Sequence, residues 1–246
     1  MYNLKQRYIR LFLLTSCVMF IFSLRSLGQE ILLEQDVNKD TIIPKRGPNY
    51  RHFNHVFIGY GLVAGNGNAG AEIKTGLSRQ FFFGSRYKLK INSFYAIGLD
   101  GTLGFSNFSL KQNNTKILPN KSLHDKESMH FTSLSTGFYN RFNFGKRGNS
   151  LGNYLDIGVY GEWLAGASHR YTDTYNYANN SFAKRTSIKN TRLQYVEPFQ
   201  YGFNARFGLG RIMFFGQYRM TKLFKNSFQY PDLPKVIVGL QIGLYS

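Results

Sequence analysis

The stretch Tyr154-Leu155-Asp156-Ile157-Gly158-Val159-Tyr160-Gly161-Glu162-Trp163-Leu164-Ala165-Gly166-Ala167-Ser168-His169-Arg170 decides the fold. Leu155, Ile157, Val159, Gly161, Trp163, Ala165 and Ala167 occupy odd positions. Asp156, Gly158, Tyr160, Glu162, Gly166 and Ser168 occupy even ones. Successive side chains of a strand point to opposite faces, so this is a strand with one apolar face and one face of small residues with two carboxylates. At roughly 3.3 Å per residue it reaches about 50 Å, far beyond an ordinary strand, and a long strand with one apolar face suits a membrane.

The rest of the chain repeats the pattern. Segments begin at His55, Ala71, Tyr95, Ser133, Tyr154, Leu193, Arg211 and Lys235, about eight in all. The second is expected over Ala71–Tyr87, with Glu72, Lys74, Gly76, Ser78 and Gln80 on its polar face. The sixth sets Leu193, Tyr195, Phe199, Tyr201, Phe203 and Phe207 against Arg192, Gln194, Gln200, Gly202, Asn204 and Arg206. Connections are short after strands two, four and six and long after three, five and seven, through Lys111–Glu127, Tyr171–Ser187 and Lys222–Pro234. The first outward loop, Gly65–Asn68, is short. Alternating short turns and long loops, with an even strand count, characterise outer-membrane barrels. A soluble lipocalin-type barrel would use the same periodicity the other way round. Its water-facing side should carry long Lys, Glu and Gln, whereas the polar faces here hold Gly, Ser, Thr and Asn with isolated charges. Such small residues suit the narrow lumen of an eight-stranded barrel.

Composition agrees with this reading. The 246 residues suffice for one large β domain, with 17% aromatics, 25 Gly and only 6 Pro. Lys5, Arg7 and Arg10 precede the apolar stretch Leu11–Leu24 and the small-residue site Ser26-Leu27-Gly28, the layout of a cleavable secretory signal over 1–28. An uncleaved anchor and a lipoprotein box ending at Cys17 are the rival readings. Cleavage after Gly28 would remove Cys17, the only cysteine, and exclude disulfides and thiolate sites. It would also remove four basic residues and no acid, taking the formal charge from +18 to +14. The basic residues are spread over loops and strand ends without a nucleic-acid motif, so anionic lipid head groups or acidic glycans are their natural counterparts. Residues 29–52 read as a flexible extension and 53–246 as the barrel.

Several constellations invite a chemical reading. Asp156 and Glu162 lie about 20 Å apart along the strand, too far to flank one scissile bond. A symmetric turn over Gly145–Asn153 puts Arg141 opposite Asp156 and Ser135 opposite Glu162, the first a cross-strand ion pair that plugs the lumen with Glu72, Asp100, Arg206 and Arg219 nearby. His52 and His55 lack further ligands at metal spacing. His130, Ser133, His169 and Asp173 could meet at the outer rim as a hydrolytic group. Trp163, Tyr195, Phe199, Tyr201, Phe203, Phe214 and Tyr218 are expected to face lipid. No catalytic, cofactor-binding or metal residue is assigned, and no cofactor is expected.

The signal, the alternation, the hairpin Arg86–Gly98 and the apolar last strand Lys235–Ser246 resemble the small outer-membrane β-barrel proteins of Gram-negative bacteria, those like OmpA and OmpX and the PorT-like barrel domain family. The resemblance covers about 53–246. Ser246 follows Tyr245, so the aromatic that commonly ends such barrels is displaced by one position. The expectation is an all-β, antiparallel up-and-down transmembrane barrel in the cell outer membrane. It is monomeric and not an enzyme, with a filled lumen and a structural or surface-interaction role. Its partners are outer-membrane lipid and surface or periplasmic proteins, without nucleic acid. The resemblance to PorT-like barrels implies, as an alternative, an accessory role in protein export or secretion; an enzyme acting at the extracellular rim is the third reading.

Overall fold

Strand β1 (His52–Ala64) shows the rule that the wall strands follow. Phe53, His55, Phe57 and Val63 are buried while Val56, Ile58, Tyr60 and Leu62 are exposed, an inversion of the pattern in a water-soluble sheet. The computed structural model describes residues 47–145, 150–176 and 183–245, all within one unit, Pro44–Ser246. The expected signal, 1–28, and the extension up to residue 46 lie outside the described residues. The end of the extension is tied to the barrel: Lys90 Nζ donates to the Asn49 carbonyl and Oδ1, both at 3.1 Å, and Lys88 Nζ donates to the Pro48 carbonyl.

The remaining strands are β2 (Arg79–Lys90), β3 (Tyr95–Ser109), β4 (Lys126–Phe144), β5 (Asn153–Asn176), β6 (Ala183–Thr191), β7 (Phe199–Leu209), β8 (Ile212–Arg219) and β9 (Val236–Leu244). Antiparallel pairing runs β4-β3-β2-β1-β9-β8-β7-β5 and closes through β4 with β5, so the eight strands other than β6 form a closed ring. Nine strands fill eight positions because β7 pairs with Asn153–Trp163 of β5, while β6 pairs higher up, with Ser168–Asn176. The expected connection Tyr171–Ser187 is thus largely a hairpin that extends the wall. The connections 91–94, 145–152 and 210–211 join strands at the end that holds residue 52 and Tyr245. The longer connections 65–78, 110–125 and 220–235 lie at the other, together with 192–198.

The outer surface is a belt of large apolar side chains, with Phe199 67% and Tyr201 58% exposed. Leaving a side chain of that size in water forgoes about 1.5–3 kcal/mol, and the loss repeats around the whole wall. Lipid removes it, and strand pairing within the closed ring satisfies the backbone that lipid cannot. On β4 the outward residues change from Leu134, Phe138 and Phe144 to Thr132, His130, Ser128 and Lys126, so the belt ends near the Leu134 and Trp163 pair. No helix among the described residues is long and apolar enough to cross a membrane.

Three expected elements need correction. The alternation of residues 154–170 is not one continuous face, because the β4–β5 register shifts between Thr132 and Ser133, which oppose Gly166 and Leu164 and leave Ala165 as an extra residue. One inserted residue reverses a period of two, so Ala167 and His169 turn inward and Ser168 and Arg170 outward. Strand β2 begins at Arg79 rather than Ala71. Residues 66–78 instead fold over the mouth, with the Ile73 amide donating to the Asn66 carbonyl at 2.8 Å and that of Lys74 to the Ser109 carbonyl at 2.7 Å, so the first outward loop is long like the others. The sixth wall strand begins at Phe199, and Leu193 and Tyr195 pack inside the cap described below.

The glycines of the lumen face have a specific use. Gly59, Gly98, Gly202 and Gly208 pair across strands with Phe82, Tyr139, Tyr160 and Tyr154. A Cβ at any of them would overlap or press closely on the facing ring, so each aromatic lies across the bare backbone of its neighbour.

Candidate functional site

The lumen is closed twice, by different chemistry. Toward the turn end, β4 and β5 place Arg141 directly opposite Asp156, as expected, with Nε to Oδ1 at 2.7 Å and Nη2 to Oδ2 at 2.8 Å. Arg206 on β7 lies opposite Asp156 on its other flank. Its Nη1 donates to Asp100 Oδ2 at 2.6 Å, and its Nε is 3.4 Å from Asp156 Oδ2. Arg86 on β2 completes the group, 3.7 Å from Asp100 and donating to Gln241 Oε1 at 2.9 Å. All five charged side chains are buried. The third guanidinium is accommodated by aromatic faces: Arg86 lies 4.2 Å from the Phe57 centroid, Arg141 3.6 Å from that of Tyr154 and Arg206 4.8 Å from that of Tyr139. Of the residues expected beside this plug, Asp100 and Arg206 belong to it. Glu72 instead accepts from Asn113 on the loops, and Arg219 pairs with Asp232 at 3.2 Å near the loop end.

The second closure is apolar. Val63, Phe108, Met129 and Phe131 rise from the strands and meet Ile73, Leu110, Leu118, Val196, Leu223, Phe224 and Leu233 from the loops. Backbone hydrogen bonds knit the loops together, from the Leu118 amide to the Gly70 carbonyl at 3.0 Å and from that of Glu197 to the Leu223 carbonyl at 2.9 Å. Between the two closures lie chambers of about 40 Å³, lined by Gln80, Ser133, Tyr160, Glu162 and Gln217. That is room for a few water molecules. Glu162 lies opposite Ser135, as expected, and hydrogen-bonds Ser133.

At the rim, the four residues expected to meet go to separate partners. His169 Nε2 donates to Glu127 Oε1 at 2.7 Å, while Asp173 accepts from His124 Nδ1 at 2.9 Å. His130 Nε2 lies 3.0 Å from Ser128 Oγ on the outer face, and Ser133 faces the lumen. Glu127 also receives Gln112 Nε2 at 2.7 Å and Lys116 Nζ at 2.5 Å. Burial alone would push its carboxyl up, but the hydrogen bonds from His169, Lys116 and Gln112 outweigh it and hold the group below the usual carboxylate range. Burial and the nearby Arg170 and Lys189 hold His130 below the ordinary imidazole value. No group of three or more His, Cys, Asp or Glu gathers at metal-binding distances among the described residues. Of the aromatics expected to face lipid, Trp163, Phe199, Tyr201, Phe203, Phe214 and Tyr218 are exposed on the outer surface, whereas Tyr195 stacks edge-on with Tyr230 at 5.2 Å.

No protein-family model and no curated protein matches the chain. Among solved structures, the crystal structure of Ail, the attachment invasion locus protein of Yersinia pestis, matches it at 14% identity and a TM-score of 0.32, over 80% of this chain and 95% of that one. The fold assignment rests on this chain's own closed strand pairing and inverted polarity.

Sequence reading missed the apolar cap, because its members are scattered over four connections with no periodicity to reveal them. The outer face of the β5–β6 hairpin was missed for a related reason: Arg170 and Lys189 are far apart in sequence and meet only through the pairing.

Proposed function

We propose that the chain is an outer-membrane barrel that conducts no solute and acts through its loop end, as a structural and surface-interaction protein. The observation that carries this is the double closure of the lumen, charged below and apolar above, with chambers of only about 40 Å³ between. The short turns and the amino-terminal segment would lie in the periplasm and the long loops outside, following the usual asymmetry of such barrels. The loop end is fastened by its own core and by the buried Glu127, His169 and Lys116 group, so it presents a set surface to a partner.

Two measurements test the reading. The detergent-solubilised chain should migrate differently before and after heating, and incorporated into planar bilayers it should give no current steps. Stable conductance would overturn the closed lumen, and recovery in a soluble periplasmic fraction would overturn the membrane location. Deletion should weaken envelope integrity while secretion stays normal. Loss of secreted proteins would instead favour the accessory export role that the resemblance to PorT-like barrels implies.

A further inference from the structure

The barrel wall opens at one place. Pairing of β5 with β7 stops at Trp163 and Phe199, and pairing with β6 starts only at Ser168 and Thr191, so residues 165–167 have no strand partner on that edge. The chain crosses this gap as 192–198, beginning with Arg192 in the left-handed region at φ 60°, where a non-glycine residue is rarely placed. The result is a cleft of about 740 Å³ on the outside of the wall. Backbone without a strand partner is not tolerated against hydrocarbon, so the cleft belongs at the level of the head groups. The belt agrees, since its last members Leu134 and Trp163 lie immediately below.

The charges of the cleft are all of one sign. Arg170 and Lys189 are directly opposed across β5 and β6, Arg192 and Lys225 complete the charged lining, and His130 lies beside them; among the described residues no acidic side chain lines it. Like charges placed directly opposite destabilise a sheet. An anion between them removes that repulsion, and apolar wall continues directly beneath it. We propose that this cleft binds the phosphate-bearing head group of a membrane lipid, with its chains lying over Trp163 and Phe199. The proposal rests on the membrane placement of the barrel, and the two can fail separately.

Trp163 is the chain's one tryptophan and borders the cleft, which supplies a local readout. The full chain is reconstituted in phosphatidylcholine vesicles, and its fluorescence quenching is compared between brominated phosphatidic acid and brominated phosphatidylcholine. Preference for phosphatidic acid is expected, and the pair R170Q/K189Q should reduce it by about thirtyfold, from the usual contribution of two basic residues near a charged surface. The charge-preserving pair R170K/K189R should retain it, as should K111Q/K121Q on another loop. Quenching by neither lipid would overturn the membrane placement. Equal quenching by both lipids in a heat-modifiable barrel would overturn the cleft. Equal losses from R170Q/K189Q and K111Q/K121Q would show general surface charge instead, and displacement by inorganic phosphate at matched concentration would assign the site to a free anion.

Discussion

Asp156→Asn is the sharpest perturbation of the lumen, because it changes charge with almost no change in volume. The carboxylate takes two hydrogen bonds from Arg141, at 2.7 and 2.8 Å, and lies 3.4 Å from Arg206. With it, three guanidiniums share two carboxylates; without it, the same three share Asp100 alone. The new amide would also turn an N–H toward guanidinium donors. Removing one member of a buried pair costs about 3–5 kcal/mol, since the other charge is left uncompensated. Arg141→Met should cost a similar amount, part of it from the ring of Tyr154, 3.6 Å from the guanidinium carbon. The double variant should cost at least about 2 kcal/mol less than the sum of the two, because neither partner is then stranded. Denaturant unfolding in lipid vesicles, followed by heat-modifiable migration, measures all three. Additivity within about 0.5 kcal/mol, or an Asp156→Asn cost below about 1 kcal/mol, would refute the claim that this pair stabilises the plug.

Gly98→Ala should destabilise the barrel by about 1–3 kcal/mol, because its Cβ would overlap the Tyr139 ring and the Tyr87 carbonyl, whereas Gly101→Ala, with nothing within 4 Å, should stay within about 0.5 kcal/mol. Equal effects in unfolding experiments would contradict the ring-over-glycine arrangement. Glu127 is held below the usual carboxylate range in the folded chain, so its contribution is fully present above the unfolded value near 4.3 and is lost as pH falls through the lower folded one. Protection of the Leu110 and Lys111 amides, taken relative to their intrinsic exchange rate at each pH, should therefore fall in acid, and Glu127→Gln should flatten that dependence. Removing the apolar cap by shortening 220–235 should still leave bilayers silent, because the Arg86, Arg141 and Arg206 group closes the other half; current steps in that variant would assign the whole seal to the loops.

Much of the wall was legible in the sequence. A strand buried on one side and lipid-facing on the other writes its two faces into alternate residues, and a tight turn transmits register, which is why Arg141 could be matched with Asp156. Ala165 shows where this fails. A bulge adds a residue that pairs with nothing, and 154–170 reads as nearly continuous alternation because Gly166, Ala167 and Ser168, the small residues that follow Ala165, suit either face. Ala71–Ser78 fails differently, since alternation there coincides with a loop whose amides bond to Asn66 and Ser109. The cap was hidden because Leu118, Val196, Phe224 and Leu233 are single apolar residues in polar surroundings, and only their convergence makes a core.

The sequence by itself determined that the wall strands carry one apolar face and one face of small or charged groups, because period-two alternation follows from local backbone geometry. It also placed 154–170 within that wall and its carboxylate beside Arg141. Only the tertiary structure decided how the lumen is sealed and where the wall opens. Both depend on contacts between distant segments: rings that cross to glycines on neighbouring strands, four loops that share one apolar core, and a single extra residue that turns Arg170 outward to face Lys189.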